Sequence, residues 1–98
     1  MDIVGHLIRK AVHTSLFQSM MSTLGLRNTL QELPDSPAVI ARAVERCMGC
    51  EQVSACEDWL DSHSSAHEPP SYCKNGDLAA RLAKLVERHT ELETAAEH

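Results

Sequence analysis

Cys47, Cys50, Cys56 and Cys73 are the four cysteines of a 98-residue chain, and they fall in one window with the spacing C-x2-C-x5-C-x16-C. Four thiolates on one short segment are the donor set of a zinc site or of an iron–sulfur cluster. For the first pair to reach a common centre the chain must turn within two residues. Met48-Gly49 supplies that turn, and glycine is expected to remove the steric obstacle to it. Cys56 is placed in the opening turn of a helix and Cys73 just before another. There the unpaired amides and the positive end of the helix dipole favour thiolate, the form that ligates metals.

Three chemistries compete for this spacing. Structural zinc is usually built from two C-x2-C knuckles, whereas this chain has one knuckle and two isolated cysteines. An iron–sulfur cluster accommodates such spacing better, because its larger inorganic core accepts ligands from several directions. The plainest alternative is four reduced core cysteines or two disulfides. A reducing cytoplasmic compartment, which the chain's lack of a secretory pattern suggests, weighs against disulfides.

Histidines add a formal zinc-finger match, Cys47-x2-Cys50-x12-His63-x3-His67, with Leu60 at the leucine position. The finger's core aromatic would fall at Ser54, no basic recognition face exists, and Cys56 and Cys73 would be stranded. A milder form, with His63 or His67 replacing one cysteine, stays open. Glu51 follows Cys50, so there is no haem-attachment motif. The Cys47–Cys50 pair follows a helix and not the strand of a thioredoxin motif, and no phosphate loop or serine nucleophile appears. Glu57 and Asp61 read as charges on a solvated helix face. With no general base near the thiols, an enzyme ranks behind both metal readings.

The charge pattern narrows the partners. The chain carries a formal −5, but residues 1–31 hold Arg9, Lys10 and Arg27 against Asp2. From Glu45 to Asp77, only Arg46 and Lys74 face Glu45, Glu51, Glu57, Asp58, Asp61, Glu68 and Asp77. Phosphate binding wants the opposite sign, so nucleic acid is not expected there. No run reaches the ~20 apolar residues of a membrane span. The three aromatics, Phe17, Trp59 and Tyr72, leave a core of aliphatic and methionine side chains, in which a metal cross-link would matter.

The elements that must position the cysteines are helical. Val4, Ile8, Val12, Leu16, Met20 and Leu24 recur every four residues, widened by Phe17 and Met21, and predict a core-facing helix over about 2–24, ended by Gly25 with Leu26 as its apolar contact. A membrane-surface role for this helix is the lesser reading. His6 and His13 lie beside the stripe and are expected to be solvated or partly buried. Residues 27–36 read as a polar connector. Ser36 as N-cap and Pro37 at the first position start a helix over 37–47, with Val39, Ile40, Ala43, Val44 and Cys47 inward. Ser54 and Glu57 have the form of a capping box for a helix over 54–62, with Cys56, Trp59 and Leu60 inward. Residues 62–71 form a loop. Asn75 caps a final helix over 75–92, faced by Leu78, Leu82, Leu85, Val86 and His89. The two longest helices are expected to pair around the cysteine segment.

Arg46-Cys47-x-x-Cys50, Cys56 with Trp59-Leu60, Pro70-x-Tyr72-Cys73-x-Asn75 leading to Leu78, and Met21 to Gly25 together resemble a small four-cysteine proteobacterial family of unknown function. The resemblance covers most of the chain and implies a cytoplasmic bacterial protein whose four cysteines act together. Where that family often has a bulky aromatic residue after Leu78, this chain has Ala79-Ala80. More locally, Cys47-x2-Cys50-x5-Cys56 is similar to the last three ligands of the [4Fe–4S] loop in endonuclease III-like DNA glycosylases. That loop takes its fourth cysteine upstream, where this chain has Ile40, so Cys73 would serve from downstream.

The expectation is an all-α, four-helix single domain over 1–98 with a four-cysteine metal site between short helices and loops. Cys47, Cys50, Cys56 and Cys73 are the expected ligands, with an iron–sulfur cluster, [4Fe–4S] foremost, as cofactor and zinc as the alternative. A cytoplasmic location and a protein partner are expected, and neither nucleic acid nor membrane.

Overall fold

In the computed structural model, which describes residues 3–96, the chain is helical, and the described residues include no strand. The helices are α1 (Ile3–Thr23), α2 (Arg27–Gln31), α3 (Ser36–Met48), α4 (Val53–Ser62) and α5 (Gly76–Ala96). The four expected helices are present within a few residues, and the all-α class holds.

Gly25 ends α1 as expected. Its φ of 70° lies in the left-handed region. The Gly25 amide donates to the Ser22 carbonyl at 3.1 Å and the Leu26 amide to that of Met21 at 2.9 Å, which is the paired Schellman pattern. Leu26 is then carried into the core beside Met21.

α2 departs from the polar connector expected at 27–36. Leu26, Leu30 and Leu33 stand at i, i+4 and i+7 across the start of that polar stretch. Leu26 and Leu30 are both buried, each contributing about 2 kcal/mol, and Leu33 packs against them. The helical turn is held by burial of these leucines and not by the polar residues around them. At the start of α3 the N-cap is Asp35, without a side-chain hydrogen bond, and Pro37 lies one residue further in than expected. Likewise Gln52 is the N-cap of α4, so Ser54 and Glu57 lie inside the helix and form no capping box.

The core joins Phe17, Met20 and Met21 of α1, Leu26 and Leu30, Ala43 and Val44 of α3, and Leu78, Ala79 and Leu82 of α5. α1 runs closest to α3 and next to α4, while α5 approaches α2 most closely, so the two longest helices are not the principal pair. One buried side chain joins α5 to α3. Asn75, 3% exposed, donates from Nδ2 to the Ala43 carbonyl at 3.0 Å and accepts from Arg46 Nε at 2.8 Å. The small Ala79 is itself buried in that core.

The outer halves of the long helices are not in the core. Ile3, Val4, Leu7, Ile8 and Val12 are exposed, as are Leu85 and Val86, all but Ile3 and Leu7 expected to face inward. His89, expected beside Leu85 and Val86, lies outside the residues whose side chains are described. For α1 the reason is geometric: a step of four residues overshoots a 3.6-residue turn by about 40°, so the series from Val4 to Leu24 sweeps about 200° around the helix. Only its second half can meet the core. The molecule accordingly extends 60 × 30 × 17 Å, and its radius of gyration of 15.1 Å exceeds the roughly 13 Å of a round domain of this length.

Candidate metal centre

Each cysteine reaches the site from a different local structure. Cys47 is the penultimate residue of α3, packed on α1, where its Sγ donates to the His13 carbonyl at 3.5 Å. Cys50 follows a turn in which its own amide donates to the Cys47 carbonyl at 3.0 Å. Its sulfur accepts the Gln52 amide at 3.4 Å. Cys56 lies in the first turns of α4, which packs on α1, and its amide is already paired with the Gln52 carbonyl at 2.8 Å. Cys73 sits in a turn closed by its amide on the Pro70 carbonyl at 3.0 Å, two residues before the Asn75 pin.

The loop carrying Cys73 is tied at both ends. The Ala66 amide donates to the Thr23 carbonyl at 3.1 Å, fixing it to the end of α1, and Asn75 fixes the other end to α3. A 16-residue separation between Cys56 and Cys73 is thereby folded back onto one place.

All four cysteines are half-buried free thiols, and all four line one cavity of about 30 Å³. Leu16, Phe17 and Met20 of α1 make its apolar wall, and Tyr72, Lys74 and Asn75 complete it. Neither His63 nor His67 lines this cavity. His63 instead stacks on Trp59, ring centres 4.3 Å apart, with Nδ1 2.7 Å from the Trp59 carbonyl. Among the described residues, no three His, Cys, Asp or Glu side chains are arranged to hold a metal ion.

The electrostatics reverse the expectation of thiols pre-activated by helix starts. Burial first, and then the Cys56, Cys50 and Cys73 sulfurs, push the Cys47 thiol up to about 11. Burial also raises Cys56, with Cys73, Cys50 and Glu57 adding to it. Burial raises Cys73 too, opposed in part by the hydrogen bond from the Asn75 backbone and assisted by Cys50. Burial in an apolar cavity, with neighbouring sulfurs adding to it, disfavours the ionised form of these three thiols.

Gly49 needs a different account as well. Its φ of −82° and ψ of −4° are ordinary right-handed values, and an added Cβ would meet only the Arg46 carbonyl, at 3.4 Å. The turn between Cys47 and Cys50 therefore does not require glycine. What sequence reasoning missed here is support from α1: the Arg9 guanidinium donates to the Met48 carbonyl at 2.6 Å, a cation on the C-terminal end of α3. The signal available was a basic pair, Arg9-Lys10, off the apolar stripe.

His13 is 5% exposed, more deeply buried than expected. Its Nδ1 is 2.7 Å from the Arg9 carbonyl, and its Nε2 has no hydrogen-bond partner among the described residues. The charge around the cysteines is also two-sided. Glu57, Asp58 and Asp61 are exposed on α4. On the other flank Arg42, Arg46, Lys74 and Arg81 surround a cavity of about 250 Å³ with Asp77 among them. The acidic excess counted along the sequence therefore describes one side of the site only.

Residues 5–85 match a family of unknown function, DUF6455. The chain belongs to that family. The match spans all four cysteines and meets the expectation of an uncharacterised family over most of the chain. It takes in α1 from Gly5 onward and stops within α5, and so includes the cavity and the core that supports it. No curated protein and no solved structure matches the chain. No described helix is long and apolar enough to cross a membrane.

Proposed function

We propose that this DUF6455 chain is a small iron–sulfur protein in which Cys47, Cys50, Cys56 and Cys73 hold the cluster, [4Fe–4S] foremost, and which acts in electron transfer or in redox or iron sensing through a protein partner. The observation that carries the reading is the meeting of all four cysteines of the chain on one apolar-walled cavity, from the end of α3, the start of α4 and two turns. The donors are of the right chemical type: all four are free thiols, and two of the sulfurs accept backbone amides, from Gln52 and Asn75. Amide donors to sulfur stabilise thiolate and help to set a cluster's potential.

When bound, the cluster supplies one-electron chemistry. The residues around it do the rest. Leu16, Phe17 and Met20 keep water from one face, and Tyr72 and Lys74 complete the lining. On ligation all four thiols would give up their protons. Cys47 also gives up its hydrogen bond to the His13 carbonyl.

Protein purified without oxygen tests the reading. A broad absorption band near ~400 nm that bleaches with dithionite is expected. A colourless protein holding one equivalent of zinc would instead identify a zinc-stabilised interaction module.

A further inference from the structure

We propose that the first half of α1 is a self-association surface, on which a second copy of the chain docks its own α1 antiparallel. Ile3, Val4, Leu7, Ile8, Ala11 and Val12 are all exposed, the five larger ones from 42% to 68%. At about 100° per residue they share one arc of roughly 180°. The face that α1 buries, with Phe17, Met20 and Met21, lies on the other side of the helix, so this strip is not an extension of the core. It leaves on the order of 500 Å² of contiguous apolar surface, at the upper end of what a monomer exposes.

The occupant follows from the spacing. A two-fold interface requires that if residue i meets residue j, then j meets i. The six positions map onto themselves when i is paired with 15 − i: Ile3 with Val12, Val4 with Ala11, Leu7 with Ile8. An antiparallel pair of these half-helices therefore sets apolar against apolar along its whole length. Two strips together bury about 1,000 Å², enough for a specific interface once flanking residues are added.

A lipid surface is the weaker occupant. Helices that lie on anionic bilayers present basic residues on the face away from the lipid. Here that side is turned to the protein: Arg9 is tied to the Met48 carbonyl and His13 is buried, while the whole chain carries −5.

Sedimentation equilibrium of the full chain from low to high micromolar concentration is the test. A species of twice the 10.8 kDa chain mass is expected. Leu7→Glu, at an exposed central position, should raise the dimer dissociation constant about a hundredfold or more while leaving helical circular dichroism unchanged. Ile3→Lys and Val12→Glu should each weaken the dimer, and the double variant should recover part of the loss, because the register sets residue 3 against residue 12 of the other copy. A monomer throughout the range would overturn the proposal. So would a dimer indifferent to Leu7→Glu, a double variant no better than the singles, or a monomer that co-sediments with phosphatidylglycerol vesicles.

Discussion

A thiol that is hard to ionise and a thiol that binds metal are the same side chain in two states, and the cysteine cavity makes the difference measurable. Cys47, Cys56 and Cys73 hold their protons more tightly folded than unfolded, with Cys47 pushed from 9.0 to about 11. In that interval the folded chain binds more protons than the unfolded one, so stability falls as pH rises. Metal-free protein should keep this contribution below about pH 9 and lose it towards pH 11, seen as a falling urea midpoint between pH 8 and 10.5. Ligation near pH 7 by all four thiols should release about four protons, which calorimetry in buffers of different ionisation enthalpy would count. Release of about three or fewer would mean that at least one of the four does not ligate. Replacing Cys73 with Ser tests the most distant ligand, since unchanged metal content would remove it from the site. The two glycines also separate at this scale. Gly25→Ala should cost about 1 kcal/mol or more because of its left-handed φ, whereas Gly49→Ala should stay within about 0.5 kcal/mol of the parent in urea unfolding.

Among the elements, Asn75 does most to keep the distant cysteine in place. It bonds the Ala43 carbonyl and Arg46 across the α3–α5 contact, two residues from Cys73. Asn75→Ala should destabilise the fold by about 1–3 kcal/mol, because it removes both of these hydrogen bonds, one of them from a charged donor, and empties the space of the buried amide. Asn75→Asp should be no better, its carboxylate facing that same carbonyl. Urea unfolding of the metal-free variants checks both. The sequence made the helices legible through strong local signals: Gly25 with Leu26, the Val39–Val44 stripe, and the Leu78–Leu82 spacing. α2 escaped because Leu26, Leu30 and Leu33 are diluted by polar neighbours and its turn depends on a core formed by distant segments. The capping residues escaped for a related reason. Ser36 and Ser54 have good capping chemistry, but packing begins each helix a residue or two earlier.

At the scale of the whole molecule, the four cysteines could be grouped from spacing alone, since they lie in one window. That they share a cavity walled by Leu16, Phe17 and Met20 could not, because these residues come from a helix whose apparent single stripe is two faces. The same division explains the elongated shape and the exposed apolar strip. One half of α1 walls the cysteine cavity, and the other half is left to an outside surface. The raised thiols also required the fold, since the shift arises from burial and then from proximity, which residue types do not reveal. Whether these four side chains hold an iron–sulfur cluster is decided by the composition of the purified protein. Iron, acid-labile sulfide and zinc should be quantified per chain in protein purified without oxygen. Iron and sulfide are expected in equal amounts, about four of each for [4Fe–4S], with no stoichiometric zinc. One zinc per chain with no sulfide would contradict the cluster assignment.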